Sequence, residues 1–156
     1  MGVDHDMYMK LALTVAETAG QSGEVPVGAV VVSDAGEVIA RAGNETITRS
    51  DPTAHAEILA LRAACSWMEN YRLPGMTLYV TIEPCIMCMA AAVHARLRRI
   101  VYGAPDPKWG GAGSLYTLQT DRRLNHQPDV IGGVCETGCR SIIQSFFKAR
   151  RQARNA

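Results

Sequence analysis

The spacing of apolar positions divides the chain into short helices and strands. Met7, Leu11, Val15 and Ala19 recur every four residues, which predicts an amphipathic helix over 4–20 that ends near Gly20. Residues 25–32 (VPVGAVVV) are β-branched and almost wholly apolar, as a strand buried on both faces would be. Asp34, Ala35 and Gly36 form a turn, so 37–42 returns as the second strand of a hairpin. A loop spans 44–50. A second helix is expected from about Thr53 to Asn70, with Pro52 near its start, where a missing N–H costs nothing.

Beyond Asn70, residues 76–82 (MTLYVTI) predict a strand, and Pro84 opens a third helix over 85–95. Residues 98–103 (RRIVYG) predict another strand, and a strand–helix–strand order implies a parallel pair. A Gly-rich loop covers 103–114, a short strand falls near 129–134, and a last helix covers 136–152. The expected fold class is α/β, a mixed sheet with helices on both faces.

With 156 residues, the chain suffices for one domain, and neither a linker nor an internal repeat divides it. A net charge of +1 argues against a global field for nucleic acid. The bases are uneven, however: Lys148, Arg150, Arg151 and Arg154 crowd the last nine residues, a tail that could bind phosphate or simply end a solvated helix. The start, MGVDHDMYMK, carries acids where a secretory signal carries bases, and no run is long enough to span a bilayer. Five cysteines, two of them spaced C-x-x-C, suit a metal or redox site in a reducing compartment, so the cytoplasm is expected.

Two fragments carry the chemistry: DPTAHAEI at 51–58 and EPCIMC at 83–88. Cys85 and Cys88, three apart, share one helical face in a first turn, where the helix dipole favours thiolate. His55 is expected in the first turn of the second helix. His55, Cys85 and Cys88 would make three ligands to one Zn2+ per subunit, leaving a fourth position open, as in catalytic sites. Glu57, two residues after His55, points elsewhere on an ideal helix and is placed to move protons rather than to bind metal. Alone, C-x-x-C equally fits a structural knuckle or a redox pair. His-x-Glu followed by Pro-Cys-x-x-Cys is the signature of zinc-dependent nucleobase deaminases, for which the bacterial tRNA adenosine deaminase is a known example.

The chain resembles the bacterial tRNA-specific adenosine deaminase family from about residue 7 to 151. The likeness lies in GEVPVGAVVV (23–32), DPTAHAEI, NYRL (70–73), TLYVTIEPC (77–85), VHAR (93–96), the YGA-x-D-x-K loop (102–108), NH (125–126) and FFKARR (146–151). It implies a cytidine-deaminase-like α/β/α sandwich around a mixed five-stranded sheet. It also implies conversion of adenosine to inosine at the wobble position of a tRNA anticodon stem-loop, by a homodimer whose sites are completed across the interface. By the same resemblance Asn44 would hydrogen-bond the flipped base, and Asp106 and Lys108 would lie near its sugar and phosphate. Phe146 and Phe147, opening the basic helix end at 146–156, would meet the anticodon loop. The alternative is a deaminase of a free base or nucleoside such as guanine or cytosine. A non-catalytic RNA-binding subunit would have no use for Glu57.

The chain departs from the family at Thr46 (usually Pro), at Met89 (usually small), at Trp109, and in the two residues that separate Glu136 from Cys139. Met89 and Trp109 bear on pocket shape and dimer contacts. His94 is expected to pack or to support a ligand rather than to bind metal itself, His126 to cap or order its loop, and His5 to be disordered with the terminus. Cys65, Cys135 and Cys139 are expected as small core residues, with one of the two phenylalanines as a core anchor.

Overall fold

A computed structural model describes residues 2–156. In chain order the elements are α1 (His5–Gln21), β1 (Gly28–Val32), β2 (Val38–Gly43), α2 (Ala56–Met68), β3 (Thr77–Ile82), α3 (Ile86–His94), β4 (Arg99–Ala104), β5 (Asp129–Ile131) and α4 (Glu136–Arg154). A single 3-10 turn at Leu118–Thr120 lies between β4 and β5. The five strands form one mixed sheet in the order β2-β1-β3-β4-β5. β1 is antiparallel to both β2 and β3, whereas β3–β4 and β4–β5 are parallel, as the strand–helix–strand order requires.

The strand alternation sorts side chains into two cores. Ala29, Val31, Leu78, Val80 and Ile100 join α2 and α3 residues on one face. Val30, Val32, Tyr79 and Val101 meet Tyr8, Met9 and Ala12 of α1 and Cys139 of α4 on the other. All five residues of β1 are buried, which explains its unbroken apolar run. The result is the expected α/β/α sandwich.

Several local expectations are corrected. The strand expected over 25–32 begins only at Gly28. α2 begins at Ala56, not near Thr53, because Asp51 accepts hydrogen bonds from the Thr53 N–H (2.8 Å) and hydroxyl (2.7 Å) and closes a turn first. Pro52 therefore sits in that turn, outside the helix. His5 is ordered: Asp4 caps α1 by accepting the Met7 N–H, and His5 Nδ1 lies 2.8 Å from the Tyr79 hydroxyl. His94 is exposed at the end of α3 rather than packed. His126 does order its loop, bonding the Leu97 carbonyl at 2.5 Å. Of the three remaining cysteines only Cys139 is fully buried.

α1 crosses β1 at Gly28, where a Cβ would overlap the Ala12 carbonyl oxygen and lie 2.7 Å from the Ala16 nitrogen. Both obstacles are backbone and cannot rotate away. Gly28→Ala should therefore lower unfolding stability by about 1–3 kcal/mol, as overpacking does. Urea unfolding monitored by circular dichroism would measure it, and an unchanged midpoint would refute the close crossing.

Candidate metal and catalytic site

The site lies at one end of the sheet. β2 ends there, β1 starts there, and β3 and β4 both finish there, so their connecting loops face one another. Such an end is where open α/β sheets collect ligands. His55 is the N-cap of α2 and Cys85 the N-cap of α3, each in extended backbone. Both were expected inside the first turn rather than at the cap. As N-caps they aim their side chains across the helix start. The His55 carbonyl accepts from Leu59 (3.0 Å) and the Cys85 carbonyl from Met89 (2.9 Å), which fixes both residues to their helices.

His55 Nδ1 is 3.6 Å from Cys85 Sγ and 3.5 Å from Cys88 Sγ. Bonds of about 2.0 Å from nitrogen and 2.3 Å from sulfur, meeting at the tetrahedral angle, would leave these atoms about 3.5 Å apart. The donor set thus fits zinc in both chemistry and spacing. Among the described residues, these three form the one cluster of histidine, cysteine and acidic side chains close enough to share an ion. A hydrogen bond from the Cys88 thiol holds Cys85 down to about 4, against the opposing effect of burial, and His55 reinforces the shift. The same bond, then burial, holds Cys88 up. His55 is raised chiefly by its bond to Cys85.

Glu57 is buried in the first turn of α2, and burial pushes its carboxyl up to about 6. A carboxyl in that range can accept and release a proton near neutral pH. It lines, with His55 and Cys85, a cavity of about 1060 Å³.

Of the residues expected around the substrate, Asn44, Asp106, Lys108 and Phe147 line this cavity. Asn44 is nearly buried. One Asp106 oxygen is already engaged, accepting the Lys108 N–H at 3.0 Å and the Trp109 N–H at 3.3 Å. Phe146 is not on the cavity wall. It stacks edge-on against Phe147 at 5.5 Å and lies under the Arg150 guanidinium at 5.0 Å. Neither phenylalanine belongs to the core, because α4 lies along the site rather than over the sheet centre at that point. Met89 is fully buried in the core, whereas Trp109 and Thr46 sit on the cavity wall.

Sequence reasoning missed the α4 residues Arg140, Ile143 and Gln144, which share the Phe147 face. Their spacing of three and four, read together with Phe147, was the available signal. It also missed Glu24 and Glu83, acids beside apolar strands.

An α/β sandwich with a His/Cys/Cys cluster and a buried glutamate at one sheet end defines a zinc-dependent nucleobase deaminase class. The cytidine and deoxycytidylate deaminase zinc-binding region matches residues 3–104. The tRNA-specific adenosine deaminase of Agrobacterium fabrum is 49% identical over 144 residues, 92% of this chain and 94% of that protein. A solved structure from studies of A-to-I editing by tRNA:A34 deaminases at the wobble position of transfer RNA aligns with a TM-score of 0.84 at 49% identity, over 87% of this chain and 98% of that one. A guanine deaminase of Bacillus subtilis aligns with a TM-score of 0.64 at 38% identity, over 72% and 71%. The chain belongs to the bacterial tRNA-specific adenosine deaminase family of the zinc-dependent cytidine deaminase superfamily.

If His55, Cys85 and Cys88 hold one zinc ion, Cys85→Ala should bind well below one equivalent after dialysis, against one in the parent. Mass spectrometry of metal content on folded protein is the check, and full retention by the variant would remove Cys85 from the ligand set.

Proposed function

We propose that this chain deaminates adenosine to inosine at the wobble position of a tRNA anticodon. The carrying observation is that one cavity joins the His/Cys/Cys cluster and Glu57 to a wall of α4, whose next turns are basic and exposed. At about 1060 Å³ it lies at the upper end of ligand cavities and has room for a base still attached to its strand. Single-stranded loops are read by stacking and phosphate contacts, and Phe147, Lys108 and Arg151 offer both near the cavity.

Zinc held by His55, Cys85 and Cys88 would supply Lewis acidity toward water and toward the negative charge that develops on the substrate. Glu57 takes a proton from the attacking water. A C–O bond forms at C6 of adenine, the carbon that bears the amino group. Glu57 passes that proton to the ring nitrogen; it then takes the remaining hydroxyl proton as the C6 carbonyl forms and gives it to the departing amine, the C–N bond breaks, and ammonia leaves. Asn44 reads the extruded base. Lys108 faces its phosphate, and Phe147 offers a stacking surface while Phe146 supports it from behind.

The working unit in this proposal is a cytoplasmic homodimer. Ile86, Trp109, Leu115 and Tyr116 are exposed. They gather about one point: the Leu115 and Tyr116 N–H groups both bond the Gly110 carbonyl, and Gly111 abuts Ile86. An apolar group of this kind beside a site mouth suits a second copy of the chain. Among the described residues no helix is long and apolar enough to cross a membrane.

Three measurements test the reading. Glu57→Ala should keep fold and zinc yet lose turnover of an anticodon stem-loop by at least about 10²–10⁴-fold, the usual worth of a general acid–base group. Near-normal ammonia release would end its assignment, and turnover of free guanine or cytosine with the stem-loop untouched would transfer the function to small-molecule salvage. Truncation after Phe147 removes four bases and should flatten the plot of log affinity against log salt, by about 0.7 for each phosphate that the tail neutralises. An unchanged slope would mean that those bases do not meet RNA. Sedimentation equilibrium should give twice the chain mass for the parent and a shift toward monomer for Leu115→Arg, whereas a monomeric parent would overturn the dimer.

A further inference from the structure

Two fully buried acids, Glu24 and Glu83, take no part in the chemistry above. Glu24 precedes β1. Its Oε1 accepts the Ile47 N–H at 3.1 Å, and its Oε2 accepts the Thr48 N–H at 2.7 Å and the Thr48 hydroxyl at 2.6 Å. Glu83 follows β3. Its Oε1 accepts the Asp106 N–H at 3.1 Å and the Ser114 hydroxyl, while its Oε2 accepts the Ala112 N–H at 3.0 Å and the Ser114 N–H at 3.1 Å. Of the seven groups bonded to the two carboxylates, five are backbone N–H donors and two are hydroxyls able to donate, a set that suits ionised acceptors.

The segments so held are the two rims of the cavity. One carries Asn44 and Thr46, the other Asp106, Lys108 and Trp109. The second rim is also tied to the cysteine segment, because the Gly111 N–H bonds the Pro84 carbonyl at 2.7 Å and Gly110 bridges Cys85. A side chain at Gly110 would overlap the Glu83 carboxylate, so the loop packs directly on that acid.

We propose that Glu24 and Glu83 are positioning residues whose buried carboxylates fix the two cavity rims at the spacing that admits the substrate nucleotide. The proposal rests on the deaminase reading for its substrate and on hydrogen bonds alone for the anchoring. Glutamine keeps the shape of each side chain but turns an NH2 toward donors, so part of each rim loses its acceptor. The rims then sample wider spacings while the cluster and Glu57, carried by α2 and α3, stay in place.

The test compares zinc-loaded Glu24→Gln and Glu83→Gln with the parent. Amide hydrogen exchange should rise about tenfold or more at Ile47 and Thr48 in the first and at Asp106, Ala112 and Ser114 in the second, the effect expected when buried donors lose a charged partner. KM for an anticodon stem-loop should rise about tenfold with kcat held within about threefold, since uniform binding is what rim spacing supplies. Zinc should stay at one per chain. If either glutamine variant fails to fold, Thr48→Val and Ser114→Ala remove one donor from each set and should move the same readings by less. Unchanged exchange at these amides overturns the anchoring. Loosened rims with an unchanged KM, or a fall in kcat alone, overturn the link to substrate admission. A parent that leaves the stem-loop untouched overturns the deaminase reading instead, and the exchange data still decide the anchoring.

Discussion

His55 Nδ1 stands about one tetrahedral edge from each of two sulfurs that lie thirty or more residues further along the chain. Histidine and cysteine side chains are short, so the starts of α2 and α3 must be held together by something stiffer than themselves. β1 does this, because it pairs on one side with β2, whose end at Gly43 leads to α2, and on the other with β3, whose end leads to α3. Ala29 faces Val80 in the ladder, and the Gly28 N–H reaches the Thr81 hydroxyl at 3.1 Å, so the relevant ends of both strands coincide. Burial on both faces makes that pairing rigid, because a one-residue slip would move each side chain into the other core. The same placement brings two positive helix ends together, and these favour the thiolate that binds metal.

The acids at this sheet end show how environment divides one chemistry into several roles. Glu57 is buried with few partners, so its proton affinity rises to about 6. Glu24 and Glu83 are buried too, and burial alone would raise them, but converging hydrogen bonds from Thr48 and Ser114 and from neighbouring amides bring both below the usual carboxylate range. Three carboxylates at one end of a sheet thus separate into one suited to carry a proton, as proposed for Glu57, and two held in the charged form.

The reaction class was legible in the sequence because it depends on spacing along two short segments. His55, Glu57, Cys85 and Cys88 are each within a turn of a helix start, and helix geometry settles most of their placement. The buried strands were legible for the same reason, since an unbroken β-branched run has few other uses. What escaped depends on partners distant in sequence. Asp51 closes a turn that delays α2. Tyr79 orders His5. Loop amides twenty or thirty residues away satisfy Glu24 and Glu83. No local pattern announces such partners, so the acids read as polar punctuation beside strands.

The phenylalanine pair marks the boundary between these two kinds of information. α4 packs on the sheet where Gly103 leaves room for Cys139, since a Cβ at Gly103 would lie 2.7 Å from the Cys139 Cβ. With Cys139 seated there, rotation along the helix carries Arg140, Ile143, Gln144 and Phe147 to the cavity, at intervals of three and four residues. A helix-wheel argument could predict that these four share a face, and could not tell whether that face meets a core or a site. One glycine–cysteine contact decides it. On the proposed reading the rigid sheet end sets the bond to be broken, while α4 and the two anchored rims set which nucleotide reaches it. Substitutions on α4 and in the rims would then change the substrate with the metal cluster and Glu57 intact, the division expected when many substrates are served on one fold.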